Sequence, residues 1–154
     1  MEDRRGCSSI YKGTSQREIK EMRILIDSNV VISYILSIKS PTGIVVEHIR
    51  AYNTVVLTQY VINEVRKTII RKFPSKLIEA EMYIDILPDE YYDFGGKDTN
   101  KYPNNRDKKD IPILANAIES KVDILFTGDK DFDEIKIDKP RIMTPRQYYD
   151  EFMI

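Results

Sequence analysis

The stretch Arg23-Ile24-Leu25-Ile26-Asp27-Ser28-Asn29-Val30-Val31-Ile32 decides how this chain is read. A branched apolar run stops at an acid, two small polar residues follow, and apolar residues resume at helical spacing. A buried parallel strand feeding a helix has this pattern, because both strand faces are covered and only the crossing point is polar. In open α/β sheets ligands bind beyond the carboxyl ends of the strands, so Asp27 is expected at the head of the sheet, where chemistry is done.

The pattern repeats along the chain. Residues 1–21 show no period and carry Gly, Ser and mixed charges, so they are expected to be a disordered extension, with the domain spanning 22–154. Strand one, Arg23–Asp27, leads into a helix from about Ser28 to Leu36, capped by Ser28 or Asn29. Ser40-Pro41-Thr42-Gly43 reads as a turn, Ile44–Tyr52 as a helix and Thr54–Thr58 as a strand. A helix over Gln59–Phe73 carries the apolar stripe Val61, Ile62, Val65, Ile69 and Ile70, until Pro74-Ser75 breaks it. Lys76–Tyr83 reads as a further helix and Ile84–Leu87 as the third strand. From Pro88 to Arg106 turn-forming residues predict a long loop. Ile111, Leu114, Ala115 and Ile118 mark a helix that Pro112 starts at about Asp110. Asp123–Asp129 is expected as strand four, Arg141–Thr144 as strand five, and a last helix begins at Pro145. Strands alternating with helices predict a three-layer α/β/α domain on a parallel sheet.

Composition narrows the chemistry. At 154 residues the chain suits one domain with a full core. A single cysteine, Cys7, excludes a disulfide framework within the chain, and a single histidine, His48, excludes a site needing two imidazoles. His48 itself reads as a flank residue of an amphipathic helix. The most apolar stretch, VVISYIL, is far shorter than the roughly 20 residues that span a bilayer. Residues 1–21 lack the apolar core of a secretory signal, so a cytoplasmic location and no membrane partner are expected. Net charge is −1, so no overall basic footprint for nucleic acid exists.

The acids carry the functional signal. Strands one and four end alike, in ILID and ILFTGD, so Asp27 and Asp129 mark carboxyl ends. If the two strands are neighbours at a switch of winding direction, both acids face one crevice. Asp110 precedes the helix leading to strand four, and Glu64 interrupts the apolar run YVINEV early in its helix. Each has an ordinary reading: a loop acid for Asp27, a solvated helix residue for Glu64, an N-cap for Asp110, a turn residue for Asp129. Together they would repel, at about 4 kcal/mol per unit pair 4 Å apart with an effective dielectric of 20. Hard cations relieve that repulsion, and oxygen-only ligands favour Mg²⁺ or Mn²⁺ over zinc. Two such ions are a standard means of cleaving a phosphodiester.

With ILIDSNVVIS, VINEV, DKKDIPILANAIESKVDILFTGDKDF and IMTPRQYYDEF in order, the chain resembles the PIN domain, the metal-dependent ribonuclease fold. It is most similar to the VapC-like toxin components of toxin–antitoxin pairs. The resemblance implies a metal site of Asp27, Glu64, Asp110 and Asp129, with Ser28, Asn29 and Thr127 in support and Asp107 and Asp131 as auxiliary acids. It implies sheet order 3-2-1-4-5, two Mg²⁺ or Mn²⁺ ions, an RNA substrate cut to a 5′-phosphate and a 3′-hydroxyl, an antitoxin partner and a homodimer. The extension before Met22 and the long polar loop after Pro88 depart from the family pattern. For RNA contact, Lys67 and Arg71 follow Glu64 at helical spacing, and Lys97, Lys101, Arg106, Lys108 and Lys109 surround the approach to Asp110. Tyr91, Tyr92 and Tyr102 are candidates for stacking on bases, although a solvated loop is the commoner use of such residues. The competing readings are a DNA-directed or structure-specific nuclease on the same fold, and a PIN-like module that binds RNA or protein without cutting.

Overall fold

A computed structural model describes residues 21–94, 111–130, 132, 135 and 137–154. Five strands, β1 (Arg23–Ile26), β2 (Thr54–Thr58), β3 (Glu90–Tyr92), β4 (Ile124–Phe126) and β5 (Arg141–Met143), form one sheet in the order β3-β2-β1-β4-β5. Every neighbouring pair is parallel. The α/β class is therefore as the alternation of strands and helices predicts, and the 3-2-1-4-5 order as the resemblance implies. Ile24, Leu25 and Ile26 are fully buried, as are Val55, Val56 and Leu57 beside them. Central strands covered on both faces need such continuous apolar runs.

The helices are α1 (Ser28–Leu36), α2 (Pro41–Tyr52), α3 (Gln59–Lys72), α4 (Leu77–Ile86), α5 (Ile111–Glu119) and the short α6 (Pro145–Tyr148). A 3₁₀ turn at Pro74–Lys76 joins α3 to α4, and α6 runs into a π-helical turn, Tyr149–Met153. Among the described residues no single helix is long and apolar enough to cross a membrane.

Three expectations are corrected. Ser40-Pro41-Thr42-Gly43 is not a free turn but the start of α2: the Ser40 hydroxyl accepts from the Gly43 N–H at 3.0 Å, and Pro41 opens the helix. Gly43 is obligatory here, since a Cβ would stand 2.1 Å from the Ile38 carbonyl oxygen. Ile84–Leu87 is not a strand. Ala80, Ile84 and Leu87 are buried at the spacing of one helix face, so α4 continues to Ile86. The third strand is instead Glu90–Tyr92, inside the stretch read as loop. Asp89 launches it, donating its N–H to the Val55 carbonyl at 2.8 Å and accepting the Val55 N–H on its carboxylate at 2.9 Å. Finally, the cap of α1 is Asp27 itself, not Ser28 or Asn29.

Two polar clusters brace the sheet. Arg23 donates to Glu90 (Nη2–Oε1 2.6 Å), to the Tyr92 hydroxyl (2.9 Å) and to the Ser120 and Lys121 carbonyls (2.8 and 3.0 Å), tying β1 to the edge strand and to the end of α5. Elsewhere the Met22 N–H donates to Asn53 Oδ1, which orients the amide so that Nδ2 donates to the buried Tyr148 hydroxyl at 2.9 Å. The phenol proton is then free for His48 Nδ1, also 2.9 Å away. His48 is thus a half-buried structural residue, as the amphipathic reading has it.

Candidate active site

The centre of the site is the junction of β1 and β4. Their register pairs Ile26 with Phe126, so the next residues, Asp27 and Thr127, emerge side by side beyond the strands. The Asp27 N–H donates to the Phe126 carbonyl at 2.9 Å, and the Thr127 N–H donates to the Met143 carbonyl at 2.9 Å. Both backbones are therefore anchored by the sheet. The Asp27 carbonyl accepts the Val30 and Val31 N–H groups, both at 3.1 Å, which starts α1. An acid at this point is held by a strand on one side and a helix on the other.

Asp27 is 7% exposed and Thr127 fully buried. Asp27 Oδ2 accepts from the Thr127 hydroxyl at 2.8 Å, while Oδ1 accepts from the Ser28 N–H at 2.7 Å and from its hydroxyl at 3.4 Å. The Thr127 oxygen in turn accepts the Asp129 N–H at 3.1 Å. One hydroxyl thereby fixes the carboxylate of Asp27 and the backbone of Asp129, and it orders Thr-Gly-Asp into the turn that returns Asp129 toward Asp27.

The electrostatics follow from burial. Loss of solvent pushes the Asp27 carboxyl above the usual carboxylate range; donation from Thr127 and Ser28 opposes the shift, and the charge of Asp129 adds to it. The hydrogen-bonding groups described around Asp27 are neutral, so hydrogen bonds compensate its charge only in part. A divalent cation would complete that compensation, and an all-oxygen donor set of two carboxylates suits Mg²⁺ or Mn²⁺.

The other expected site residues divide into three groups. Ser28 is in contact with Asp27, while Asn29 is exposed. Glu64 is half-buried on the second turn of α3, its Oε1 3.4 Å from the Tyr60 hydroxyl; among the described contacts none joins it to Asp27 or Asp129. Lys67 and Arg71 are exposed on the same helix. Asp107, Asp110, Asp131, Arg106, Lys108 and Lys109 lie outside the described residues, as do Lys97, Lys101 and Tyr102. Among the described residues no three His, Cys, Asp or Glu side chains come close enough together to hold a metal ion. Tyr92 is not available for stacking on bases as expected: its hydroxyl is engaged by Arg23 and Glu90, and its ring stacks on Phe94 with centroids 5.7 Å apart. Tyr91 is exposed, its hydroxyl bonded to Gln59.

Sequence reasoning missed buried polar residues, Thr58 and Asn116 among them. Thr58, fully buried at the end of β2, caps α3 by accepting the Val61 N–H, and continuing the β1–β2 register sets it level with Asp27. A hydroxyl residue closing an apolar strand was the available signal. Asn116 is 7% exposed on α5, with Nδ2 donating to the Pro112 carbonyl at 2.8 Å. Its place among Leu114, Ala115 and Ala117 gave no local reason to single it out.

Comparison with known proteins bears on this geometry. A family model of the PIN domain matches residues 23–131, well over half of the chain. Among curated proteins none matches significantly. Among solved structures, a chain of VapBC2 from Rickettsia felis, crystallised bound to a DNA fragment from its promoter, shares the fold at a TM-score of 0.62 and 18% identity. That match covers 80% of this chain and 98% of the other. The matched region carries β1 to β4, the Asp27–Thr127 junction and the turn to Asp129, so the chain belongs to the PIN domain family.

Proposed function

We propose that this protein is a Mg²⁺- or Mn²⁺-dependent endoribonuclease, acting as the toxin of a toxin–antitoxin pair. The observation that carries the reading is the buried carboxylate of Asp27, hydrogen-bonded to Thr127 at the carboxyl end of adjacent parallel strands and under the charge of Asp129. A fold cannot gain stability from that arrangement alone, so its value lies in what it binds. The likeness of fold to a chain of VapBC2 supports the toxin assignment and an antitoxin partner.

In this reading Asp27, Glu64, Asp110 and Asp129 hold the metal, with Asp107 and Asp131 as auxiliary acids. The cations supply charge stabilisation for a phosphodiester under attack by water. The chain's own contributions are distinct. Thr127 aims Asp27 Oδ2 and fixes the Asp129 turn. Ser28 holds Oδ1, and the first turn of α1 begins at the same residue, so its N-terminal dipole faces the anionic side of the site. Exposed Lys67 and Arg71 attract the RNA backbone.

Asp27→Asn tests the proposal. It should abolish Mn²⁺-dependent cleavage of single-stranded RNA and remove the rise in thermal stability that Mn²⁺ gives the unaltered chain. At a hundredfold excess over Kd that rise corresponds to about 2.7 kcal/mol. Retained cleavage would sink the assignment. Parallel assays on flap DNA and hairpin RNA distinguish the DNA-directed alternative, and metal binding without cleavage of either would favour a binding module.

A further inference from the structure

On β3 the side chains divide between the two faces of the sheet. Glu90 and Tyr92 share one face, where Arg23 engages both. Tyr91 stands on the other, toward α3, and is 49% exposed. Its ring is nevertheless held. The hydroxyl donates to Gln59 Oε1, and Gln59 Nε2 donates to Asn63 Oδ1 at 2.7 Å. Ordering an exposed side chain costs rotamer entropy. Here a relay of two amides from the first turns of α3 has already met that cost, which is what a preorganised contact surface needs. Its position relates the relay to the candidate site. The register sets Tyr91 level with Leu57, and continuing the β1–β2 register sets Leu57 level with Ile26, the residue before Asp27. β3 is two strands from β1, about 10 Å at ordinary strand spacing. Beyond Asn63, exposed Lys67 and Arg71 continue at four-residue intervals along the outward side of α3. A held aromatic face, an amide and two cations are the components by which proteins bind single strands: stacking for a base, charge for the phosphates.

We propose that Tyr91 is a stacking platform for an unpaired base close to the bond that is cut, and that Asn63 reads the edge of that base. The inference rests on the ribonuclease reading above for its substrate. Gln59 occupies Asn63 Oδ1, so the base meets the Nδ2 donors. Donors select an acceptor. Uracil presents O4 where cytosine presents an amino group, so uracil is the preferred pyrimidine. Lys67 and Arg71 take the phosphates and add affinity without sequence preference. The acid next to the platform, Glu90, lies on the opposite face with Arg23 as its counter-charge, so it does not repel the strand on the Tyr91 side.

The test uses the full chain with a chelator present, so that RNA is bound and not cut. Fluorescein-labelled octamers of uridine, of cytidine and of abasic ribose phosphate are titrated at low salt. Tyr91→Ala should weaken uridine binding about tenfold and abasic binding by less than about twofold, because stacking needs a base. Tyr91→Phe keeps the ring and should bind uridine within about threefold of the unaltered chain. Uridine should be preferred to cytidine by about threefold or more, and Asn63→Ala should erase that preference. A 2-aminopurine base set at each position of the uridine octamer in turn should be quenched at one of them, and Tyr91→Ala should relieve the quenching. Equal losses on the uridine and abasic octamers, quenching that Tyr91→Ala leaves intact, or no binding of RNA to the unaltered chain would overturn the platform. Equal affinity for uridine and cytidine, or a preference that survives Asn63→Ala, would overturn the role of Asn63. Cleavage assays with Mn²⁺ separate these results from the ribonuclease reading. A chain with every base-dependent effect that cuts no RNA keeps the platform and loses the nuclease, whereas a chain that cuts RNA and binds it regardless of Tyr91→Ala loses the platform alone.

Discussion

Thr127→Val is the sharpest probe of the site, because it removes one hydroxyl and leaves the side-chain volume nearly unchanged. In the unaltered chain that hydroxyl donates to a buried carboxylate at 2.8 Å, and a hydrogen bond to a charged group contributes about 1.5–3 kcal/mol. With Asp27→Asn in place the same hydroxyl meets a neutral amide, and the bond is worth about 0.5–1.5 kcal/mol. The two substitutions should therefore couple by about 1 kcal/mol or more. Asp27→Asn alone has the opposite sign. Burial raises the folded-state pKa of Asp27, so its contribution to stability is full below the unfolded pKa and is lost as pH rises through the folded one. At pH 8 the ionised group opposes folding, and a neutral amide should stabilise the chain by about 0.5–2 kcal/mol, the usual gain from relieving a functional site. Urea unfolding of the four proteins at pH 8 with a chelator present measures both quantities. Coupling under about 0.5 kcal/mol, within the additivity of independent sites, would refute the hydrogen-bond argument. A loss of stability in Asp27→Asn would refute the electrostatic one.

Gly43→Ala should cost about 1–3 kcal/mol or more, because the new methyl group meets backbone atoms of Ile38 that cannot move without opening the α1–α2 corner; equilibrium unfolding would show it. Burial lowers the pKa of His48, so its contribution is present above the unfolded pKa, near 6.5, and is lost as pH falls through it toward the folded value. Protonation would also leave the buried Tyr148 hydroxyl without its acceptor on Nδ1. His48→Gln should flatten this acid limb of the stability profile between pH 7 and 5; an unchanged slope would remove His48 from the cause. At the alkaline end, burial pushes Tyr148 up to about 12, so stability should fall as pH rises from 10 toward 12, and Tyr148→Phe should suppress that fall.

The central strands were legible because their signals are local. Ile24–Ile26 and Val55–Leu57 are runs that water cannot be allowed to touch, whatever surrounds them. The edge strand was not. Glu90-Tyr91-Tyr92 becomes a strand because Arg23, 67 residues earlier, supplies Glu90 and Tyr92 with partners, and because Asp89 docks on Val55. No window of sequence contains that pairing. Ile84–Leu87 misled for a related reason: its residues fit an alternating pattern, and only the burial of Ala80 below them selects the helical period. The geometry of the candidate site was legible to the extent that it sits at strand ends, which places Asp27, Thr127 and Asp129 at the head of the sheet. Glu64 rests on a helix whose rotation the strand pattern does not determine.

The two acids at the head of the sheet are built differently, and that difference carries a functional argument. Asp27 is locked: its backbone belongs to a strand and a helix at once, and neutral donors hold both carboxylate oxygens. Asp129 is half-buried on the turn after β4, its N–H donating to the Thr127 hydroxyl. In the metal-binding reading proposed above, a cation would offset the repulsion of Asp129 that adds to the upward shift at Asp27. In that reading, support of Asp27 by uncharged donors is how a site can be preorganised for a cation and still belong to a stable metal-free fold. Thr127 joins the two demands, since the same oxygen that fixes Asp27 sets the path of the chain to Asp129.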